Sequence, residues 1–361
     1  MALPDCTAAA NITACSIQWN DSKTSVEDSR NAATVITQAV SIGVIMLLSI
    51  IGNSLVLLAI YKNPALQNKT AIFIANIAIA DFTNGCIGMP FLLVSTITNN
   101  WPFSDALCSF TAAITIILCA VSIGTLGSIA HDRYCAIVYP LKYHELMSKT
   151  KIVFFLAWIW IQAVVIAICP LLGWSEYIYI QNEYLCTANW GQDISYTLSL
   201  TIFYSLGPMT VMLYCYIRIL MVARRHSRQI TALKTSVAHQ TEISTKNTKR
   251  KRTSILSDPS IVQFRKDAKS AFILFIVIAV FLICWMPHLV TMYAIAFGYN
   301  GFTDAFYTAT TWLSMTNSML NPILYGVLNR QYRTAFKQLL FGTVIKNRDH
   351  GLIKTRPAGD P

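Results

Sequence analysis

Seven long apolar segments, separated by polar or basic stretches, constrain the fold of this chain more than any other feature. Each segment has at least the roughly 20 residues that a helix needs to cross a bilayer. Backbone polar groups are satisfied in lipid only within helices or closed barrels, and segments of this length favour helices. The sequence therefore predicts an all-α membrane protein with a seven-transmembrane helix bundle. The segments are 34–61, 70–97, 108–138, 152–172, 196–221, 271–297 and 306–328.

The charged residues support this class and orient the chain. Only 12% of the residues are charged, against roughly 25% in an ordinary soluble domain, which excludes a soluble enzyme. If the N-terminus is outside, all of the 28 Lys and Arg residues except Lys23 and Arg30 lie in inner loops, at span ends or in the C-terminal tail. Positive residues that flank spans are retained in the cytoplasm. We therefore expect a multi-pass plasma-membrane protein with an extracellular N-terminus and no nucleic-acid partner, although the net charge is +11.

The spans divide the chain into three parts. Residues 1–33 are an extracellular tail, in which Asn11 and Asn20 begin glycosylation sequons. Residues 34–328 are the bundle, and its segment 222–270 is rich in Lys, Arg, Ser and Thr, which favours a flexible third cytoplasmic loop. Residues 329–361 are predicted to form a short amphipathic eighth helix on the inner leaflet, followed by a cytoplasmic tail.

Two of the 10 cysteines differ from the others in their setting. Cys108 begins the third span and Cys186 lies in the loop before the fifth, so both face the oxidising outside, where a disulfide is chemically permitted. We expect these two cysteines to be bonded, which pins the loop across the extracellular mouth of the bundle. Cys6 and Cys15 offer a second bridge in the N-terminal tail, and the sequence leaves this pairing open.

Short motifs occur in order along the spans. They are Gly52-Asn53, Ala80-Asp81, Asp132-Arg133-Tyr134, Trp160, Pro208 with Tyr216, Cys284-Trp285-Met286-Pro287 and Asn321-Pro322-Ile323-Leu324-Tyr325. Over residues 34–340 the chain resembles the rhodopsin-like (class A) G-protein-coupled receptors, of an orphan type near the amine receptors and the opsins. The resemblance implies a receptor and not an enzyme, which transmits an extracellular small-molecule signal to heterotrimeric G proteins by outward movement of span six. It also implies receptor kinases, arrestin and membrane lipid as partners.

Asp81 is the only carboxylate near the middle of any span. A carboxylate at that depth is costly, so its presence indicates a function. The resemblance implies an allosteric sodium ion, in a site formed by Asp81, Ser122, Asn317 and Asn321, and no other metal. The alternative is a polar contact between helices without an ion.

The resemblance also implies an activation switch. Arg133 and Asp267 would form a latch in the inactive state, although Asp267 could instead be a solvated charge beside its lysine neighbours. Arg133 and Leu141 would contact the G protein. The residues assigned to the switch are Asp132, Arg133, Tyr134, Asp267, Ile123, Pro208, Phe281, Tyr216, Trp285, Pro287, Pro322 and Tyr325.

Two residues that known ligand classes require are missing from the candidate ligand pocket. Thr115 stands where amine receptors carry an Asp for the ligand ammonium, and burying an unpaired ammonium costs several kcal/mol, so a typical protonated monoamine is not expected. Met315 stands where opsins carry the retinal-binding Lys, so we expect no retinal and no other cofactor.

The pocket that alignment to the family implies is aromatic and mostly neutral, which suits an uncharged or weakly polar ligand. Two alternatives remain: a constitutively active orphan receptor that needs no ligand, and a non-photosensitive relative of the opsins. The implied pocket residues are Thr115, Cys119, Thr201, Tyr204, Trp285, His288, Met292, Thr311 and Trp312.

Overall fold

The computed structural model describes residues 30–239, 259–299 and 301–342, and it describes only the backbone of residues 227, 230–239 and 259–267. Eight helices dominate this part of the chain. They are α1 (Ala32–Lys62), α2 (Lys69–Thr98), α3 (Asp105–Val138), α4 (Lys149–Ile168), α5 (from Ile194 to His239), α6 (Pro259–Ala296), α7 (Asp304–Leu328) and α8 (Arg330–Phe341).

The first seven of these helices correspond to the seven predicted spans. Within the described residues, α1 to α6 are long and apolar enough to cross a membrane. The seventh helix, α7, has 25 residues and is therefore long enough, at about 1.5 Å per residue, but it is more polar. Its polar side chains include Thr308, Ser314 and Asn317, which are buried inside the bundle. The last helix, α8, is the predicted short helix after the bundle, and it buries Tyr332 and Ala335.

The structure differs from the prediction in the segment 222–270. The fifth helix, α5, continues as far as His239, and α6 begins at Pro259, so both ends of the predicted flexible loop are helical. Lys, Arg, Gln and Ala are good helix formers, so a segment too polar to build a core can still be helical. A polar composition therefore marks where a helix leaves the bilayer and does not show where the helix ends.

Capping side chains fix where most of the helices begin. At the start of α1 to α5, α7 and α8, a side-chain oxygen accepts a hydrogen bond from a backbone N–H of the first turn, which satisfies a group that the helix itself leaves unpaired. The capping residues are Asn31, Asn68, Ser104, Ser148, Asp193, Thr303 and Asn329.

Buried polar contacts fix how the helices pack. The Asn76 amide accepts a hydrogen bond from Trp160 Nε1 at 3.0 Å and donates one to Thr125 Oγ1 at 2.8 Å, so it links α2, α4 and α3. Asn53 Nδ2 of α1 donates to the Ser318 carbonyl of α7 at 3.0 Å. The three bonds join α2 to α4, α2 to α3 and α1 to α7. Their polar side chains have few alternative partners in lipid, so they make the packing of the helices specific.

Two helices contain a π-helical segment shortly before a proline. In α2 it covers Asn84–Gly88, two residues before Pro90, and in α5 it covers Thr201–Leu206, two residues before Pro208. A π segment widens one turn and shifts the faces that the helix presents on either side of it. The side chains of α2 and α5 near these segments consequently do not follow the regular 3.6-residue pattern.

A two-stranded hairpin lies across one end of the bundle. Strands β1 (Tyr177–Ile180) and β2 (Leu185–Ala188) pair antiparallel. Cys186 of β2 is bonded to Cys108 at the start of α3, with 5.3 Å between their Cα atoms, so the predicted disulfide is present. We call this end of the bundle the disulfide end, and the opposite end, where α3 carries Arg133, the Arg133 end.

Candidate ligand cavity and transmission core

A cavity of about 90 Å³ lies beneath the hairpin, between α3, α5, α6 and α7. Its walls are mostly apolar, and no Asp or Glu is among the residues that line it. The predicted pocket residues that the structure brings together around it are Thr115, Cys119, Tyr204, Trp285, His288 and Met292.

Three ring nitrogens of residues around this cavity are buried without a hydrogen-bond partner. They are Nε1 of Trp190, Nε1 of Trp285 and Nδ1 of His288. A buried polar group that lacks a partner costs about 1–3 kcal/mol. The two indole N–H groups can only donate, whereas the imidazole nitrogen donates or accepts according to its tautomer. The cavity thus offers hydrogen-bonding groups that have no partner, and the two indole N–H groups among them require an acceptor.

Three predicted pocket residues do not line this cavity. Thr201 begins the π-helical segment of α5, and its hydroxyl donates to the Thr197 carbonyl at 2.9 Å. The Thr311 hydroxyl donates to the Tyr307 carbonyl at 3.1 Å within α7. Trp312 faces α1, where its Nε1 donates to Ser41 Oγ at 2.9 Å. These local hydrogen bonds hold the three side chains outside the lining of this cavity, and their part in ligand binding stays a prediction.

The prediction also missed the part of the cavity that the hairpin contributes. Leu185, Thr187 and Trp190 line the cavity from above. A signal for two of them was present in the sequence, because Leu185 and Thr187 flank Cys186. Bonding of Cys186 to the start of α3 brings both neighbours to the mouth of the bundle. Trp190 had no comparable signal.

Asp81 lies at the centre of a small polar site below the ligand cavity. Its two carboxylate oxygens accept hydrogen bonds from Ser318 Oγ at 2.9 Å and from Asn321 Nδ2 at 2.8 Å. Ser122 and Asn317 line the adjoining cavity of about 20 Å³ together with Asp81. The structure therefore brings together all four residues of the predicted site, and it adds Ser318.

Trp285 separates the two cavities, since its side chain borders both. Its ring stacks on that of Phe281, with 5.9 Å between the ring centroids. Phe281 and Ile123 are both in the buried core that continues towards the Arg133 end. Pro208 packs against α3 at Gly127. A change in the position of Trp285 would therefore be passed directly to this core, because close-packed side chains transmit displacement.

Two prolines interrupt the backbone hydrogen bonds of α6 and α7. Pro287 lies inside α6 and Pro322 inside α7. Proline has no backbone N–H and its ring clashes with the preceding turn, so it provides a point at which a helix bends. Pro287 lies two residues after Trp285, and both belong to the predicted activation switch.

At the Arg133 end, Asp132 and Arg133 form a buried ion pair in which Arg133 Nη2 lies 2.6 Å from Asp132 Oδ2. The hydroxyl groups of Thr70 and Tyr143 donate to the two oxygens of Asp132, each at 2.8 Å. Arg133 Nη1 also donates to Ser270 Oγ of α6 at 3.4 Å. The side chain of Asp267 lies outside the described residues, so the Arg133–Asp267 latch stays a prediction.

Two tyrosine hydroxyls near this ion pair are buried and have no hydrogen-bond partner. They belong to Tyr216 of α5 and Tyr325 of α7. Both rings are part of the buried core. The cost of leaving them unpaired favours any rearrangement in which the hydroxyl groups gain partners. Tyr134, by contrast, donates from its hydroxyl to that of Tyr139 at 3.4 Å.

A third cavity, of about 520 Å³, opens at the Arg133 end and is bordered by Arg133, Ser270 and Tyr325. Beside it, the turn Pro140–Lys142 carries Leu141, whose side chain is 99% exposed. Arg133 and Leu141 therefore both lie where a partner at this end could reach them. The predicted glycosylation sites Asn11 and Asn20, and the pair Cys6 and Cys15, lie outside the described residues.

The fold and these sites define a multi-pass membrane protein with a helical bundle, a disulfide-anchored hairpin at one end and a buried Asp-Arg pair at the other. The family described as 7 transmembrane receptor (rhodopsin family) matches residues 52–325. The chain belongs to this family, and the resemblance found in its sequence is confirmed.

Similar receptors share more than a quarter of its residues. G-protein coupled receptor 161 of Homo sapiens is 28% identical over 324 residues, which are 88% of this chain and 61% of that receptor. The Alpha-1A adrenergic receptor of Cavia porcellus is 30% identical over 328 residues, which are 86% of this chain and 69% of that receptor. The chain spans about three fifths of the length of the G-protein coupled receptor 161 relatives that it matches. The crystal structure of squid rhodopsin has the same fold, with a TM-score of 0.72, 24% identity and 86% of each chain covered.

Proposed function

We propose that this receptor transmits the binding of a small extracellular molecule to heterotrimeric G proteins through outward movement of α6. The observation that carries the proposal is the arrangement around Arg133. This residue borders a cavity of about 520 Å³ and contacts Ser270 of α6 through a hydrogen bond of 3.4 Å, which is long and therefore weak. Movement of α6 would widen this cavity and break the contact with Ser270, which would give a partner access to Arg133. Receptor kinases and arrestin would bind the same end after signalling.

The disulfide end would face the outside of the cell and the Arg133 end the cytoplasm, in the plasma membrane. Two observations support this orientation. A disulfide persists in the oxidising environment outside the cell. Almost all Lys and Arg residues lie in the segments that this orientation places inside, as positive residues of membrane proteins do.

The ligand would be a small, largely apolar and uncharged molecule that carries at least one hydrogen-bond acceptor such as a carbonyl oxygen. The unpaired N–H groups of Trp190 and Trp285 support an acceptor, because pairing them would recover the cost of their burial. The absence of Asp and Glu from the residues that line this cavity argues against a cationic ligand.

The volume of the cavity supports a second candidate, a receptor that signals without a diffusible ligand. Ligand pockets usually measure roughly 300–1,000 Å³, whereas this cavity measures about 90 Å³. The hairpin residues Leu185 and Thr187 fill the space above it. The hairpin would then occupy the ligand's position, and signalling would be constitutive.

Nucleotide exchange on purified G proteins tests the proposal. The chain, reconstituted in lipid nanodiscs, is mixed with each G-protein class in turn, without an added ligand. We expect exchange to be accelerated for one class and the Arg133→Ala variant to lose this effect. The Asp267→Ala variant should raise the basal rate roughly fivefold, since a latch of about 1 kcal/mol shifts the closed-to-open ratio by that factor. The proposal is overturned if neither the native chain nor the Asp267→Ala variant accelerates exchange on any class.

Sodium would oppose activation from the site around Asp81. Asp81, Ser122 and Asn317 would hold the ion through carboxylate, hydroxyl and amide oxygens, which are the ligands that hard cations prefer. The adjoining cavity of about 20 Å³ is large enough for one ion or one water molecule. A ligand shifts a conformational equilibrium only through different affinities for its two states, so sodium would favour the state in which these oxygens lie around one cavity.

Replacement of sodium by potassium at equal ionic strength tests this site. Basal exchange by the native chain should be slower in sodium, and the Asp81→Asn variant should give equal rates in both salts. The Asp105→Asn variant, which removes a carboxylate at the first turn of α3, is the control and should keep the sodium effect. An undiminished sodium effect in the Asp81→Asn variant rules the site out.

A further inference from the structure

The hairpin and the residues that follow it close the ligand cavity on the side of the disulfide end. The hairpin is bonded to α3 through the disulfide of Cys186. The Thr308 hydroxyl of α7 donates to the Asn182 carbonyl in the hairpin turn at 2.8 Å. After the hairpin, Trp190 lines the cavity, and its carbonyl accepts a hydrogen bond from Thr197 Oγ1 at 2.9 Å. A ligand that entered from water on this side would have to displace at least one of these anchored segments.

The wall of the cavity between α4 and α5 is built differently. Ile166 of α4 lines the cavity on this side, together with Leu200 and Tyr204 of α5. The Tyr204 hydroxyl donates to the Gln162 carbonyl of α4 at 2.8 Å. Tyr204 thus lines the cavity and also links α5 to α4.

The outer side of this wall faces the membrane. Ile161 and Val165 of α4 are each 57% exposed, and Ile202 and Phe203 of α5 are 50% and 71% exposed. Apolar surface of this kind on a spanning helix contacts the acyl chains of the lipid. Tyr204, which directly follows Phe203, is partly buried and lines the cavity. Tyr204 therefore lies between the cavity and the acyl chains.

The backbone around Tyr204 departs from a regular helix. Tyr204 lies within the π-helical segment Thr201–Leu206. Pro208 follows four residues later and has no N–H, so the Tyr204 carbonyl lacks the regular hydrogen bond of an α-helix. A turn without this bond rotates at a lower cost than a regular one, which makes movement of the Tyr204 side chain easier.

We propose that ligands reach this cavity from the bilayer, between α4 and α5 and past the Tyr204 side chain, an inference that rests on the proposed ligand class. Rotation of Tyr204 away from the Gln162 carbonyl would open the wall. An apolar, uncharged molecule concentrates in lipid, because transfer from water into an apolar environment is favourable. A charged molecule is excluded from this route, since a charge in the bilayer is costly. The ligand class is thereby narrowed to molecules that dissolve in the membrane.

The native thiol of Cys119, which lines the cavity, reports entry. The probe is butyl methanethiosulfonate, a small uncharged reagent that dissolves in lipid and converts a thiol into a mixed disulfide. The receptor in lipid nanodiscs is exposed to it, and peptide mass spectrometry gives the rate of modification at Cys119 relative to Cys86, which is exposed on α2. We expect the Tyr204→Phe variant to raise this ratio about fivefold, the factor predicted for the loss of one neutral hydrogen bond.

An unchanged ratio in the Tyr204→Phe variant would overturn the proposal. Neither signalling nor the natural ligand enters this measurement, so its failure is distinguishable from failure of the proposed function.

Two matched variants separate the possible routes. Tyr196→Phe removes another hydroxyl of α5 that donates to a carbonyl of α4, that of Ile166 at 3.3 Å, but Tyr196 is not among the residues that line the cavity. Thr308→Val removes the hydroxyl that anchors the hairpin turn. Both variants should give a ratio within a factor of two of the native value.

A rise in either control as large as that of the Tyr204→Phe variant would overturn the proposal, and with Thr308→Val it would indicate entry from water past the hairpin. A parallel rise at Cys215, which is buried in α5, would also overturn it, because the variant would then have loosened the helix as a whole.

Discussion

At the scale of single residues, Glu183 is the least expected feature of the molecule. It lies in the turn between β1 and β2, its side chain is fully buried, and neither carboxylate oxygen has a hydrogen-bond partner. Burial away from water disfavours the charged form and raises the pKa of Glu183 from 4.5 to about 8. The turn is held against α7 by the Thr308 hydroxyl, which donates to the Asn182 carbonyl at 2.8 Å. Ionisation of Glu183 should therefore loosen this contact.

The stability of the receptor should fall as the pH rises from about 4.5 to about 8. The folded state holds the proton of Glu183 more tightly than the unfolded chain, so raising the pH in this range favours unfolding, and the effect ends above the folded-state pKa. At about 1.4 kcal/mol per pKa unit, the loss amounts to at most about 5 kcal/mol. The Glu183→Gln variant should show a flatter pH dependence and a higher melting temperature at pH 8.

Thermal unfolding of the purified receptor at several pH values measures this effect. The control is Glu176→Gln, which changes an exposed glutamate of the same loop and should leave the pH dependence as it is. A Glu183→Gln variant whose melting temperature follows pH in the same way as that of the native chain would show that Glu183 does not titrate in this range.

At the scale of the elements, α1 and α7 approach each other closely at Gly52. A Cβ atom at this position would lie 2.9 Å from the Cβ and Cγ atoms of Pro322. The proline ring fills the space that the glycine leaves, which brings the bend in α7 against α1. This contact places Ser318 within reach of Asn53.

The Gly52→Ala variant should be less stable than the native receptor by about 1–3 kcal/mol, since added carbon atoms in a close-packed contact force the backbones apart. Gly43 provides the control in the same helix, because a Cβ there would meet no atom within 4 Å. The Gly43→Ala variant should be as stable as the native chain or more stable by about 0.5–1 kcal/mol. Apparent melting temperatures in one detergent measure both. Equal stability of the two variants would mean that α1 and α7 do not require this close approach.

Most of the helical architecture could be predicted from the sequence, because membrane spans leave a strong hydropathy signal. The predicted span 306–328 agrees with the helix Asp304–Leu328 to within two residues at its start. Caps such as Thr303 carry a further signal for the helix starts. The ends of α5 and α6 beyond the bilayer could not be predicted in this way, because hydropathy does not separate a polar helix from a polar loop. The π segments also leave no such signal, since they change helix phase and not composition.

At the scale of the whole molecule, the site was predictable where motifs fix residues at the centre of the bundle. Asp81 and Asn321 meet because both lie on helix faces that are buried inside the bundle. The wall formed by the hairpin was less predictable, since it depends on how a loop folds back over the bundle. Trp190 shows this, because its place in the cavity follows from the path of the loop and not from a motif.

Packed side chains connect the ligand cavity near the disulfide end with Arg133 at the opposite end. The ligand cavity ends on Trp285, which stacks on Phe281 in the buried core. The same core includes Tyr216 and Tyr325, whose hydroxyl groups lack partners, and it ends beside Arg133. The account requires this arrangement to exchange with an open one in which α6 lies farther from α1 at the Arg133 end.

The distance between spin labels at the positions of Lys62 and Lys269 tests this requirement most directly. Both side chains are exposed at the Arg133 end, on α1 and α6. Labels on genetically encoded ketone amino acids leave the native cysteines unmodified. Pulsed electron resonance should show a longer distance when nucleotide-free G protein is added, because a partner that binds the open state increases its population. The Arg133→Ala variant should show no such change. Identical distance distributions with and without G protein, at a concentration where the complex forms, would contradict the account.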